Sequence, residues 1–473
     1  MSDAVTETAE TSTPARAARA PRRAPGDLPF TFVDAALVTA ISDRHDEPAW
    51  LREDRLAALA QFDALPVESS MLYTPYVDLR AASLDAALPY PTAQDGAAVA
   101  DAAAHGADAP TAGLLELRED TIAVATLDPA AEAAGVRLMT LGQLLMTDHP
   151  LGRRLVAEDV ALPADDKLAW MGRAAWTQGA ALVVPAGVRV ERPIVIRWAV
   201  GAPRTTIART VIVLGDGAEA SVVEELVTSD GGVAGEQSLL SLTTEIHLGA
   251  HARLAMSSLQ ETGPDQVVFQ QRLARIGEAA DLRWALAQLG GRLVRSRVDN
   301  VLAGDRSVVE QTEIVFGNAD QLHDLTSYTR HVGRDTSGQL LSKGVLLDNA
   351  RSYMKGLISI EKTAIGTDSY LGEFGMNLSK KARAVAIPSL EIDQPDCRRA
   401  AHSSSVGPID DAQLFYLESR GISPDEARKF IVLGFLEPVV ARVPLEEAQD
   451  RLRDALEAKW AAGFVAAGAA TAA

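Results

Sequence analysis

Cysteine occurs once in these 473 residues, as Cys397. One thiol excludes a disulfide framework, and without a Cys-x-x-Cys pair there is no structural zinc site to read. Aromatic residues are scarce as well, 5% of a chain whose hydrophobic content is 47%, so the apolar material is mostly Ala, Val and Leu and suits thin, regular packing layers. Basic residues are outnumbered, with 45 Lys and Arg against 64 Asp and Glu and a formal net charge of -19. That balance repels phosphate backbones and anionic lipid and leaves no basic footprint for nucleic acid. No apolar run reaches the roughly 18 to 20 residues of a membrane span. The opening "MSDAVTETAE" is acidic and polar where a secretory leader is basic and then apolar. A cytoplasmic chain without nucleic-acid or membrane partners is the expectation.

The common phosphate-binding and hydrolytic motifs are missing too. No GxxxxGK[ST] loop, no GxGxxG after a strand, no GxSxG elbow, no HExxH and no EF-hand loop occurs. No nucleotide is expected on this chain, and any nucleotide chemistry must come from a partner.

What is present divides into four stretches, as a chain longer than one usual core predicts. Residues 1–27 are Ala, Pro, Thr and charge without apolar periodicity and read as a disordered tail. Residues 28–178 read as a mostly helical region. Leu51, Leu56, Leu59 and Phe62 recur at helical intervals behind Pro48, and "TIAVATLDPAAEAAGVRLMTLGQLL" reads as strand, short helix, strand. Within this region residues 80–112 hold so few large apolar side chains that they read as a loose insertion.

Residues 179–407 change texture. Val188, Val190, Ile194, Ile196 and Trp198 follow the two-residue period of half-buried strands. Small-residue corners recur at "LGDGAEASV", "LGAHARLAM", "IGEAADLRWA", "LAGDRSVVE", "LLDNARSYM" and "LSKKARAVA". The early ones lie roughly 26 to 34 residues apart and the later ones are less regular, which predicts stacked coils forming a parallel β-helix. A β-sandwich is the rival architecture. It needs a hairpin turn about every 8 to 12 residues, and only "GDGAE" and "SDGGV" qualify.

Residues 408–473 read as a helical domain. Asp410 with Gln413 and Ser423 with Glu426 have capping-box spacing, Pro424 suits a first helical position, and Gly421 closes the preceding helix. Ala427, Phe430, Ile431, Gly434 and Phe435 predict one face of the second helix. Leu445, Ala448, Leu452, Leu456 and Trp460 predict the face of a third.

The side chains with chemistry are few. Glu310, Glu313, Asp320 and Asp324 are the nearest match to the paired carboxylates of a polysaccharide-cleaving β-helix, with His331 as a base. In so acidic a chain, however, a solvated face accounts for such carboxylates, and a lone strand histidine is more often structural. Lys343 and Lys355 read as surface or corner residues. Cys397 and His402 are both metal-ligand types, and spacing alone leaves open whether either binds metal or merely packs.

Residues 388–440 carry a more specific pattern. "PSLEIDQPDCRRAAHSSSVGPIDDAQLFYLESRGISPDEARKFIVLGFLEPVV" runs from Pro-x-Leu-x-Ile through an acidic turn to a histidine among small residues, then an LFYL-x-x-RGI helix and a helix closing on Gly-Phe. In that order these parts resemble the SufB/SufD family of iron-sulfur cluster assembly proteins. Similar stretches continue upstream through "TSGQLLSKGVLLDNARSYMKGLISIEKTAIGTDSY" and "GAALVVPAGVRVERPIVI". The resemblance implies a mainly β chain, a right-handed parallel β-helix between N- and C-terminal helical regions. It also implies a scaffold subunit without catalysis of its own. In the family, SufB and SufD paralogues pair through their β-helices, each holds the ABC-type ATPase SufC on its C-terminal helices, and a transient iron-sulfur cluster forms at the seam.

Where SufB has its cluster cysteine this sequence has Glu373, and where SufB has Glu-His-Glu it has Ala401-His402-Ser403. Both departures point to the SufD type. Counted from the LFYL helix, His402 falls on the family histidine and is the candidate iron ligand, with Glu373 a second candidate through oxygen. Cys397 falls on an ordinarily aliphatic position and reads as a decoy. Phe415, Tyr416, Arg420, Phe430 and Phe435 are the candidate contacts to a SufC-like ATPase. The alternatives are a SufB-like homodimer, which lacks its thiolates here, and a carbohydrate-active β-helix.

Overall fold

The computed structural model describes residues 23–89, 110–443 and 445–471. Most of the predicted tail and most of the predicted insertion near 80–112 therefore lie outside the described residues. Residues 23–27 form a turn, and Arg23 donates to the carbonyls of Leu79 and Ala82.

Two helices open the described chain, α1 (Ala35–Arg44) and α2 (Ala49–Ala64). Asp34 caps α1 by accepting from the Leu37 N–H. Three short strands follow with their helices: β1 (Gly113–Arg118), β2 (Thr121–Leu127), α3 (Pro129–Ala133), β3 (Arg137–Thr140), α4 (Leu141–Thr147), α5 (His149–Arg153) and α6 (Lys167–Ala175). Eight coils come next, each giving one strand to each of two sheets. The first four coils are β4 (Gln178–Val184) with β5 (Ile194–Val200), β6 (Thr205–Leu214) with β7 (Glu219–Thr228), β8 (Ser238–Leu248) with β9 (Arg253–Glu261), and β10 (Gln266–Ile276) with β11 (Asp281–Gln288). The last four are β12 (Leu293–Leu302) with β13 (Val308–Gly317), β14 (Leu322–His331) with β15 (Ser337–Leu346), β16 (Arg351–Ile360) with β17 (Asp368–Asn377), and β18 (Arg383–Ile392) with β19 (Arg399–Gly407).

From β4 on, even-numbered strands stack in one sheet and odd-numbered strands in the other, all parallel. Among the described residues, antiparallel pairs occur only where β2 meets β1 and β3 meets β4, at the N-terminal end. This is the expected parallel β-helix and not the rival sandwich. Thr205 stands beside Leu239 and Val267 beside Leu293, so one coil takes between 26 and 34 residues, the spacing read from the sequence.

The corners explain why that spacing looked regular only at first. One edge of the stack carries a residue with positive φ in coil after coil: Gly217, His251, Ala279, Arg306, Asp335 and Gly366. Each passes its N–H to a carbonyl of the next coil, as Ala279 does to Asp305 and Asp335 to Ile365. A left-handed residue reverses the chain here, which glycine does without strain. "LGDGAEASV" to "LAGDRSVVE" all lie on this edge. "LLDNARSYM" and "LSKKARAVA" lie on the opposite one, where Ala319 and Asp348 have positive φ. The apparent drift is a change of corner.

Inward side chains such as Val190, Ile194, Ile196 and Trp198 fill the space between the sheets. The outer faces are covered as well. Helices α4 and α6 and the N-terminal segment pack on the even sheet through Ile207, Val211, Leu239, Phe269 and Leu293. On the odd sheet lie α7 (Asp411–Ser419), α8 (Pro424–Val440) and α9 (Glu446–Thr471), over Val223, Ala285, Ile314, Phe316 and Val345. Strands expected to be half-buried are thus buried on both faces, which is why their polar-apolar alternation is weak.

The C-terminal helices begin as read, with one difference. Ser423 and Glu426 form a capping box, and Gly421 closes α7 at φ +86°. Asp410 accepts from the Ala412 N–H without closing a box with Gln413. Ala448, Leu452, Leu456 and Trp460 are all buried. Leu452 and Leu456 each contribute on the order of 1.5–3 kcal/mol, so this row anchors α9. The predicted face of α8 holds in part: Ala427 is buried, Ile431 and Phe435 pack on the odd-sheet cluster beside the buried Val432, Leu436, Val439 and Val440, and Phe430 is exposed.

Candidate functional site

The stack ends openly. Among the described residues β18 pairs only with β16 and β19 only with β17, so each presents a free edge. Such an edge is a row of unpaired N–H and C=O groups, a template for another strand. β18 contains Pro388, whose missing N–H is tolerated because this is an edge strand.

His402 lies on β19, in register with Leu371 of β17. Leu371 is buried with Leu340 and Ile358 between the sheets, and in-register residues of parallel strands share a face. The imidazole therefore continues an inward-facing column at the point where no further coil covers it, and His402 is exposed. A neutral imidazole there can offer one nitrogen to iron.

Glu373 shares the inward face of β17 with Leu371, one strand below and two residues further along from His402. Its side chain is 1% exposed, and Oε2 has no hydrogen-bond partner among the described residues. Burial pushes its carboxyl up to about 8, against the pull of the Ile387 N–H. At neutral pH it is mostly a neutral acid, a poor iron ligand until it loses its proton. Its folded-state value lies above the unfolded one, so it favours the folded chain most below about pH 4.5, and that contribution is lost as pH rises through 8. Glu373→Gln is expected to match the parent in thermal melts at pH 4 and to exceed it at pH 8.5 by on the order of 2 kcal/mol, allowing for fraying of the open end. Equal melting at both pH values would show that the carboxyl ionises freely.

Cys397, in the turn between β18 and β19, is partly buried against Leu340, Ile358, Ile360, Ala364 and Leu371. It packs as a small hydrophobe. Among the described residues no group of three or more His, Cys, Asp or Glu side chains is arranged to hold a metal ion.

The candidate partner contacts separate. Phe415, Tyr416 and Phe430 are 72%, 57% and 60% exposed, and the Arg420 guanidinium stacks 5.3 Å from the Tyr416 ring. Phe435 turns inward instead. Lys343 Nζ stands 4.6 Å from its ring centroid and donates to its carbonyl at 3.0 Å. Phe435 and Lys343 thereby hold α8 on the odd sheet.

The carboxylates considered for polysaccharide cleavage do not converge. Asp324 is on the outer face of the even sheet with Arg295 and Lys355, each 2.5 Å away, and that lysine is itself buried rather than on the surface. Glu310 is on the outside of the odd sheet, 3.6 Å from Arg442. Asp320 accepts from Asn349 at a corner. Glu313 points inward. His331 is buried between Thr336 and Ser369, bonded at both ring nitrogens, and burial lowers it to about 4.

One feature of the interior escaped sequence reading. The space between the sheets carries a connected polar column. Arg272 reaches Glu224, Ser258 and Ser296; Ser296 and Gln288 reach Glu313; further along, Trp284, Asn300, Gln311 and Ser327 form a second chain of hydrogen bonds. Stacking the strands in register puts these polar residues on one face, but register is visible only once the coils are aligned.

The sequence comparisons agree with this geometry. The family model described as "SUF system FeS cluster assembly, SufBD core domain" matches residues 198–435. The "Iron-sulfur cluster assembly protein SufD" of Bacillus subtilis is 27% identical over 435 residues, covering 90% of this chain and 98% of that protein. An "Iron-sulfur cluster assembly SufBD family protein" of Staphylococcus epidermidis is 25% identical over 343 residues, 72% of this chain and 73% of its own. A matched core spanning half the chain, on a parallel β-helix between helical ends, establishes that this protein belongs to the SufB/SufD family of iron-sulfur cluster assembly proteins.

Proposed function

We propose that the chain is a SufD-type scaffold subunit that pairs with a SufB-like paralogue through the open end of its β-helix. It lends His402 to a cluster carried at the seam. The cluster is cargo, and the thiolates come from the partner. A SufC-like ATPase docks on α7 and α8, where Phe415, Tyr416, Arg420 and Phe430 are presented, with Phe435 positioning α8 from beneath. The chain itself binds no nucleotide and catalyses no step, and its place is the cytoplasm. No described helix is long and apolar enough to cross a membrane.

The observation that carries this reading is the position of His402: an exposed imidazole on the free edge strand β19, at the mouth of the inward-facing column. A strand from a partner would cover that mouth and bring its own ligands to the ring. The similarity to a SufD protein over nearly the whole chain supports the same assignment.

Co-expression with SufB-like and SufC-like partners tests the pairing, and His402→Ala within that complex tests the ligand. The variant complex is expected to assemble as the parent does and to carry about tenfold less cluster after anaerobic reconstitution, read by iron content and visible absorbance. Failure of any complex to form would sink the pairing. Undiminished loading of the variant would sink the role of His402 alone.

A further inference from the structure

At the end of the stack remote from His402, a cavity of about 210 Å³ lies between the start of α2, helix α4 and the β1–β2 turn. Its walls include Leu51, Leu117, Ile122 and two indoles, Trp50 and Trp176. The His149 ring stands edge-on to Trp50, with centroids 5.8 Å apart. A cavity of about 150 Å³ lined by aliphatic and aromatic side chains accepts benzene, so this one has room for two fused rings.

Three polar atoms of the lining side chains are buried with no hydrogen-bond partner among the described residues: Nε1 of Trp50, Nε1 of Trp176 and Oε1 of Gln178. The Gln178 amide cannot simply be turned over. Its Nε2 donates to the Glu119 carbonyl at 2.6 Å, and inversion would set two oxygens against each other. Interiors leave few such groups unpaired, and here two donors and one acceptor belong to residues around a single apolar gap. The charged lining residues are Asp46, Glu47 and Asp120, with no lysine or arginine, which disfavours an anion.

We propose that this cavity binds a small, neutral heteroaromatic molecule of two fused rings bearing a carbonyl beside a ring N–H. The indole N–H groups donate to the carbonyl, Gln178 Oε1 accepts from the ring N–H, and the aliphatic walls hold the rings.

The probe is 2-quinolone, which has that pair of groups. Quinoline, which has the rings without them, is the comparison. Both are titrated into the full-length chain by calorimetry and tryptophan fluorescence. One 2-quinolone per chain is expected, bound about tenfold more tightly than quinoline. Gly142 lines the cavity, and a Cβ there meets only Thr140 Oγ1 at 3.8 Å. Gly142→Phe should therefore fill the gap and weaken 2-quinolone by about a hundredfold or more. Trp50→Phe keeps a ring and removes one donor; it should weaken 2-quinolone several-fold and leave quinoline unchanged. The proposal is overturned if 2-quinolone does not saturate the parent, if quinoline binds equally well, or if folded Gly142→Phe binds like the parent. Should Gly142→Phe not fold, the two-ligand comparison on Trp50→Phe decides.

Discussion

A Ser404→Pro chain is expected to fold and to melt within about 2 °C of the parent, yet to lose its partner subunit, with the affinity between the two β-helices falling about a hundredfold or more. The reason is the alternation of a parallel ladder. Arg399 donates its N–H to the Thr367 carbonyl, so the odd-numbered residues of β19 turn their backbone groups toward β17. Ala400, His402, Ser404 and Val406 turn theirs to the free edge. Proline at 404 removes a donor that no bond to β17 uses. On β18, Arg383 donates to Ala350, so Pro388 occupies the equivalent outward phase and shows that such an edge accepts the ring. A strand added by a partner would meet a missing donor and a steric block. Ser405→Pro is the contrast, because it breaks a bond within the chain and should lower the melting temperature itself. Co-purification and size-exclusion chromatography of the complex read the result. Normal pairing by Ser404→Pro would mean that the seam does not run along β19.

Arg272→Ala should destabilise the chain by about 3–5 kcal/mol at neutral pH. The Arg272 and Glu224 side chains are both 0% exposed and 3.1 Å apart, and Arg272 also donates to Ser258 at 2.8 Å. Removing the cation strands a carboxylate in the buried interior. Replacing both partners, as in Arg272→Met with Glu224→Leu, should recover most of the loss, since what is costly is a lone buried charge and not the absence of the pair. The single variant should also be pH-sensitive. Burial already pushes Glu313 up, and Arg272 pulls it back. Without that pull its folded-state value rises further, so the variant regains stability as the pH is lowered toward 5 and Glu313 takes up a proton. Unfolding midpoints of the three chains at pH 5.5 and 7.5 measure this. A single variant as stable as the parent at both would show that water reaches the column.

Much of this arrangement was legible in order and spacing. Corner residues recur because each coil must reverse its direction, and caps such as Ser423 with Glu426 are local bonds between near neighbours. The row from Leu445 to Trp460 is legible because a helix with one buried face repeats its apolar residues at a fixed interval. The face of α8 is legible only in part for the complementary reason: the helix has two apolar sides, one on the solenoid with Ala427, Ile431 and Phe435 and one exposed at Phe430, and periodicity does not say which is covered. Phe435 lies on the covered side, where Lys343, 92 residues away, meets its ring and its carbonyl.

The linear sequence determined that this chain coils, where it turns, where its helices start, and to which family it belongs, since each of these rests on contacts between residues close in the chain or on an ordered motif. Only the tertiary structure decided which side chains look inward, that Glu373 is a buried neutral acid, that Arg272 and Glu224 meet, and that His402 stands uncovered on the last strand. Those properties depend on the register between coils some thirty residues apart and on what lies beyond the final one. Neither is written in any local stretch of sequence.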